Sequence, residues 1–491
     1  MMKHPVIKLL KILIPFILFF HTATAGFCLT SDVTHLKHYT LENGLELFVL
    51  ENHALPLVRI QITVRCGSIA QSAETAGLFH LYEHMMFKGN KVYRTQSQFQ
   101  TAMREIGVAN WNGGTSTEFV SYHFTVLSER VEKGIEFWAN AIRFPLLDPG
   151  ELEREKSVVI NEIRGYFDDP DHIYQAAIDK ALFFKFPFRR DVAGYENAVR
   201  SATPAMLEQI QASYYIPNNA ALFIGGDVEP DKVFQIVKKH FGSWQRKNDP
   251  WAVPLESHPS LKNDARLIYP DGQMHTGVLS VELVFRGPDL LADTSATYAA
   301  DVWGKMLEDP NGKFKTNIFA KVPGLYKKET IGAGYFSQKD GGIISFSAYM
   351  LIIPGQNTFE RIAALKEAFL SEIKLMASDP LYFSENDYKT LKMKLIDESI
   401  LERETTEGFI NCLSFWWASA NTDYYLEYID NLKKIGFADI KKFLADYIIA
   451  QKSVLSVRIN PQNFENEKEI AGKNGFAVVF KENAFWWEDK F

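Results

Sequence analysis

Apolar residues recur along this chain with two periods, and the switch between them marks out its elements. LVRIQITVRCGSI, from Leu57, alternates and predicts a strand, and HYTLENGLELFVLEN before it predicts a hairpin with Asn43-Gly44 at the turn. Helical spacing sets in at about Thr75 and returns from Ser97 to Ile106. A strand, TSTEFVSYHFTVL, and a helix, SERVEKGIEFWANAIR, follow. Asp148-Pro149, a capping acid before a proline, opens a long helix. AALFIGGDV predicts a buried strand ending in a glycine turn, and PDKVFQIVKKHFGSW another helix.

The stretch 246–264 is rich in proline and charge and has no period, which marks an interdomain linker. Beyond it the order repeats: strand GVLSVELVFRG, helix TSATYAADVWGKML, an irregular segment, strand GGIISFSAYML, then helices from Thr358 to Tyr447. The expected fold class is α+β, with two homologous mixed α/β domains at 26–245 and 265–491, each a sheet packed with helices.

Composition adds little to this. At 491 residues, 46% hydrophobic and 23% charged, the chain has the make-up of an ordinary globular protein with more than one core. The first 25 residues do change the picture. Lysines at 3, 8 and 11, the apolar run Ile12 to Phe20, and Ala23-Thr24-Ala25 before Gly26 read as a secretory signal peptide. An uncleaved anchor is the alternative, though the run is short for a span. Cleavage would take the formal charge from −7 to −10, which argues against nucleic acid as a partner. No later segment is apolar enough to span a membrane. Cys66 and Cys412, distant in sequence, are no disulfide framework, although one bridge between them is conceivable in an exported protein.

The chemistry lies in GLFHLYEHMMF. At about 100° per residue, His80 and His84 sit about 40° apart and Glu83 about 60° to the other side of His80. Leu78, Phe79, Leu81, Tyr82, Met85, Met86 and Phe87 leave this triplet no wet face, and burying it without partners would cost several kcal/mol. Two imidazoles one turn apart suit a single Zn²⁺ per chain, with Glu83 placed as general base on the water the metal activates. A catalytic zinc takes a third protein ligand. ELEREKSVVINEIRGYF offers Glu151, Glu153, Glu155 and Glu162. Burial expected at Val158, Val159 and Ile160 favours Glu162, leaving Glu155, on the same face, to orient a ligand.

With HLYEH and EREKSVVINE, the chain resembles the pitrilysin family of zinc peptidases, which includes the mitochondrial processing peptidase. GSIAQSAETAGLFHLYEHMMFKGN, NGGTSTEFVSY and YYIPNNAALFIGGDV resemble family blocks as well. The resemblance implies two domains of that type, with His80, His84 and Glu162 as ligands, Glu83 as base and Glu155 as the supporting glutamate. It also implies an open edge strand over Asn112 to Tyr122 that binds extended peptide, with Asn112 near the cleaved bond. Gly113 and Gly114 stand where relatives carry small and aromatic residues, a change expected to loosen or widen the cleft. An alternative makes Asn112-Gly113-Gly114 a hairpin turn.

The second half departs from the family. Relatives supply an arginine and, seven residues on, a tyrosine, where this chain has Ala320 and Lys327. Tyr326 or Tyr335 could enter through a register slip, but no arginine occurs from Gly287 to Glu360. A second, related subunit supplying the pair in a hetero- or homodimer is one reading, and solitary action with altered peptide handling is the other. The implied protein is a periplasmic endopeptidase acting on unfolded peptides. A non-enzymatic structural or peptide-binding member is the alternative.

Overall fold

The structure, a computed structural model, describes residues 35–488. The expected signal segment lies outside the described residues. Alternating sequences build two six-stranded sheets. The first runs β1-β2-β6-β3-β5-β4, with β1 Leu36–Thr40, β2 Glu46–Glu51, β3 Leu57–Val64, β4 Asn110–Thr115, β5 Val120–Leu127 and β6 Ala220–Gly226. The second runs β12-β7-β11-β8-β10-β9, with β7 Ala265–Pro270, β8 Val278–Arg286, β9 Gly332–Phe336, β10 Ile343–Leu351, β11 Val454–Ile459 and β12 Ala477–Val478. Five strands of each correspond in order and direction, including the parallel pairs β2–β6 and β7–β11. The sixth differs: β1 runs antiparallel to β2, whereas β12 arrives late in the chain and runs parallel to β7.

Five helices of the first half are α1 Leu78–Met86, α2 Gln96–Ile106, α3 Val131–Arg143, α4 Pro149–Phe167 and α5 Pro170–Leu182. Asp148 caps α4 as its sequence predicts, accepting from the amides of Gly150 and Glu151. Helix α1 starts at Leu78, later than the pattern suggests, because Gly77 is left-handed at φ 92°. The apolar positions of α1, α2 and α3 close one face of the first sheet around Tyr82, Phe99, Phe124 and Trp138. Helices of the second half, chiefly Thr294–Glu308 and Thr358–Ser378, do the same for the second sheet.

The remaining faces are covered reciprocally. The helix Thr406–Ser419 lays Phe409, Ile410, Leu413 and Trp417 on Phe48, Ala221 and Phe223 of the first sheet. Helix α5 lays Ile173, Tyr174, Ala177 and Ile178 on Tyr269, Val284 and Val454 of the second. Polar ties fix the first contact: Arg59, 4% exposed, donates to Glu407 at 2.7 Å and Asn411 at 2.8 Å, and Gln61 donates to Ser414 at 2.6 Å.

The strand expected over Thr115–Leu127 is two strands joined by a turn. Ser116 donates its amide to the Phe119 carbonyl, and Glu118, buried, turns away to accept the Lys339 amide of the second half at 2.5 Å. The open edge is therefore β4 alone, and Tyr122 belongs to the inner strand β5. Asn112, Gly113 and Gly114 lie within β4, not in a turn. Cys66 and Cys412 are both free thiols. Among the described residues no helix is long and apolar enough to cross a membrane.

Candidate metal centre

Helix α1 packs on α4 and on the end of β4, and the three elements bring the polar side chains together. His80, His84 and Glu162 each aim one ligand atom at a common point, all within 4.8 Å of one another. The two Nε2 atoms are 3.2 Å apart, and Glu162 Oε2 lies 3.6 Å from His80 Nε2 and 3.5 Å from His84 Nε2.

Glu155 fixes the tautomer of His84. Its Oε1 receives Nδ1 of His84 at 2.9 Å, and its Oε2 receives Lys88 Nζ at 2.6 Å. With the proton on Nδ1, the His84 Nε2 lone pair faces the His80 ring and the Glu162 carboxylate. Burial would raise the Glu155 pKa, but the hydrogen bonds from His84 and Lys88 outweigh it and hold the carboxylate below its ordinary value. Burial lowers His80 to about 4, with His84 adding repulsion, so its imidazole is neutral. His84 ends above the ordinary histidine value: burial opposes, and Glu155, Glu83 and Glu162 prevail.

Two imidazole nitrogens and a carboxylate converging on one point need a shared positive charge between them, a proton on His84 or a metal cation. Two imidazoles and one carboxylate, partly exposed on the Glu162 side, are the donor set of a catalytic zinc with an open position. The residues fit the ion.

Glu83 is 9% exposed, and burial pushes its pKa up to about 7, with His84 opposing and Glu162 and Glu155 adding. Its neighbour on β4 is Gly113. A Cβ there would fall 3.0 Å from Glu83 Oε1 and 2.7 Å from the Phe87 ring, whereas one on Gly114 would meet nothing within 4 Å. The two glycines thus differ: Phe87 already fills the space at Gly113, and only Gly114 opens room.

The hairpin-closing bond of Ser116 sets the phase of β4. Asn110, Asn112 and Gly114 turn their main-chain groups to β5, while Trp111, Gly113 and Thr115 turn theirs outward. The Asn112 side-chain oxygen accepts from the outward Gly113 amide at 3.0 Å. Trp111, 42% exposed, leans on Phe87 with ring centroids 5.2 Å apart, which gives the edge an aromatic wall beside Glu83.

Val158 corrects the sequence reading of α4. Val159 and Ile160 are buried, but Val158 is 44% exposed, and Glu162 is exposed with it, because that face of the helix borders the opening and not the core. Glu151 and Glu153 belong elsewhere, paired with Arg154 and Lys156. Lys88 was not singled out from sequence, although its place one turn beyond His84 is a readable signal. In the second half Ala320 and Lys327 are exposed, and the Tyr335 hydroxyl is committed to the Pro288 carbonyl at 2.8 Å.

The second half has a counterpart of this site. Helix Thr294–Glu308 packs on β9 as α1 packs on β4, and Gly304 lies against Gly334 and Tyr335 as Glu83 lies against Gly113. Asp301, Gly304 and Lys305 repeat the spacing of His80, Glu83 and His84, and line a cavity of about 210 Å³ with Tyr428 and Glu398. Lys305 Nζ is held between Glu308 and Glu398 at 2.7 and 2.6 Å.

Comparison with known proteins agrees with this architecture. The family described as insulinase (peptidase family M16) matches residues 47–194, and the peptidase M16 inactive domain matches 201–395. An uncharacterised zinc protease of Bacillus subtilis, YmxG, is 29% identical over 212 residues, which is 43% of this chain and 51% of the relative. A probable mitochondrial-processing peptidase subunit beta of Arabidopsis thaliana is 26% identical over 202 residues, 41% of this chain and 38% of the relative. The matched stretch thus spans about half or less of these relatives' length. A protease from Helicobacter pylori superimposes with a TM-score of 0.73 at 18% identity, over 86% of this chain and 99% of that one. The first half of the periplasmic protease PqqL from Escherichia coli does so at 0.70 and 16%, over 90% and 94%.

Proposed function

The chain belongs to the insulinase (M16) family of peptidases, and from that premise we propose that it is an exported, periplasmic zinc metalloendopeptidase acting on extended segments of unfolded peptides. The observation that carries this reading is the convergence of His80, His84 and Glu162 beside a buried Glu83 at an open strand edge. His80, His84 and Glu162 would hold the ion. Bound there, Zn²⁺ would supply a Lewis acid and bring the acidity of a water close to neutrality.

The remaining chemistry belongs to the chain. The outward main-chain groups of Trp111, Gly113 and Thr115 pair with a substrate strand, which accepts many sequences because it reads backbone. The Asn112 side chain must release the Gly113 amide for that pairing. Glu83 takes the proton of the attacking water at its carboxylate and returns it to the leaving amine. Glu155 and Lys88 keep the His84 proton on Nδ1.

The absence of an arginine–tyrosine pair at Ala320 and Lys327 favours a dimer in which a related subunit completes substrate handling. Glu83→Gln tests the assignment of the base: bound zinc should remain near one per chain while hydrolysis of a quenched peptide is lost. Full activity in that variant would remove Glu83 from the mechanism, and a wild-type protein that takes up no zinc would favour a non-enzymatic, peptide-binding role.

A further inference from the structure

His84 is oriented by Glu155, but the second ring nitrogen of His80 has no such side chain. Nδ1 of His80 is buried and closes no hydrogen bond of ordinary geometry, and the backbone of Ala193, whose carbonyl oxygen would stand 2.8 Å from a Cβ on Gly77 at the start of α1, is the main-chain group that acts on the ring. A metal-ligating imidazole needs a partner on its other nitrogen to fix its tautomer and plane. What holds Ala193 in place therefore bears on the metal.

Ala193 sits in the loop 187–194, which is docked on the start of α1. The Gln71 side chain donates to the carbonyls of Phe188 and Asp191, both at 2.6 Å, and accepts from the amide of Gly77 at 3.0 Å. A Cβ on Gly194 would lie 2.3 Å from Gly77, so loop and helix touch main chain to main chain. Asp191 governs the turn: Oδ1 accepts the Gly194 amide at 2.9 Å, and Oδ2 accepts the indole Nε1 of Trp486 at 2.9 Å.

Trp486 is 5% exposed and lies near the other end of the described chain. Its neighbours reach the second ligand-bearing element. Phe485 and Trp487 pack on Phe167, at the end of the helix that carries Glu162, with centroids 4.6 and 4.9 Å away, and Trp487 stacks on Tyr195. Lys481 pairs with Asp168 at 2.5 Å. One short aromatic segment thus grips the loop behind His80 and the helix of Glu162.

We propose that Trp486, through Asp191, is a positioning residue for the metal centre: it holds the loop whose Ala193 backbone orients His80. This rests on the reading that His80, His84 and Glu162 bind zinc. The test uses the full chain, stripped of metal and titrated with Zn²⁺ against a chromogenic chelator. Trp486→Phe keeps the aromatic packing and deletes the donor, and should weaken zinc binding about tenfold, at the lower end of what loss of a ligand-orienting partner costs. Asp191→Asn should weaken it similarly, and the double variant no further, since both remove one link. Lys481→Ala loosens the same segment without touching Asp191 and should bind zinc within about twofold of wild type. Unchanged affinity in Trp486→Phe, additive losses in the double variant, or an equal loss in Lys481→Ala would each overturn the proposal. A wild-type chain that binds no zinc would overturn the metal assignment beneath it, a separate result.

Discussion

Gly113→Ala puts one methyl group where the structure has no room for it. Its Cβ would stand 2.7 and 2.9 Å from two atoms of the Phe87 ring and 3.0 Å from Glu83 Oε1. Phe87 cannot swing aside freely, because Phe99, Trp111 and Tyr122 surround it with centroids at 6.0, 5.2 and 5.8 Å. Overpacking of this kind costs about 1–3 kcal/mol. Replacing a strand glycine returns about 0.4–1 kcal/mol by restricting the unfolded chain, so the loss prevails. Relief comes by moving β4 away from α1, which parts the substrate edge from the base, so kcat/KM should fall at least about tenfold, or ~1.4 kcal/mol in the barrier. Zinc content should stay unchanged, since no ligand touches Gly113. Gly114→Ala is the control: its Cβ meets nothing, so its thermal midpoint should equal or exceed that of wild type. Peptide hydrolysis and thermal melts of both variants decide the matter. If Gly113→Ala matched wild type in both, the packing of Glu83 against the edge strand would be refuted.

Glu155→Gln removes the charge that pairs both His84 and Lys88, and should cost about 10–100-fold in zinc affinity by chelator competition; unchanged affinity would show that His84 needs no such partner. Chelation should lower the thermal midpoint as well as abolish hydrolysis, because the ion binds only the folded site, and added zinc should restore both. Asp301, half-buried in the cavity wall and accepting from the Tyr428 hydroxyl, has its pKa pushed by desolvation from 3.8 up to about 7. A raised folded-state pKa means stability present below about pH 4 and lost as pH rises to about 7, with a ceiling of about 4 kcal/mol for three units. Asp301→Asn should therefore raise the midpoint more at pH 8 than at pH 4, and an equal shift at both would sink this account.

The fold was legible wherever a strand has one dry face or two. β3, β6, β8 and β10 follow their apolar patterns. β9, Gly-Ala-Gly-Tyr-Phe, has no alternation to read, since an edge strand of small residues buries little. The turn inside Thr115–Leu127 escaped because alternation runs through it, and what makes the turn is Glu118 reaching the second half, a contact no local pattern carries. His80, Glu83 and His84 were readable because one helical turn holds them; Glu162 was reached through an expectation of burial that holds at Val159 and Ile160 but fails at Val158 and at Glu162 itself, both exposed. The exposure of Val158 was not readable, since an apolar residue on a helix looks the same beside a core and beside an opening. Lys88, Phe87 against Gly113, and the loop behind His80 are tertiary facts.

The reciprocal helices explain why a half without metal chemistry persists. At the counterpart of the metal site, Lys305 brings its own positive charge between Glu308 and Glu398, and Asp301, Gly304 and Lys305 stand where the first half has His80, Glu83 and His84, so the copy has neither the two imidazoles nor the glutamate of the first site. Its structural share is nevertheless large. Without the helix Thr406–Ser419, the first sheet would expose Phe48, Ala221 and Phe223 to water and leave Arg59, Gln61 and Arg65 without Glu407, Ser414 and Trp417. Without α5, the second sheet would expose Tyr269, Val284 and Val454. Helix α5 directly follows α4, the helix of Glu155 and Glu162, so the element that closes the second sheet also anchors the far end of the ligand helix. A substitution on the second sheet under α5, such as Val284→Asp, should therefore weaken zinc binding far from any ligand. The same change on the opposite, helix-covered face of that sheet should destabilise the chain with less effect on the metal, because no element there continues into α4. Equal effects on zinc from the two faces would break the link between α5 and the metal centre.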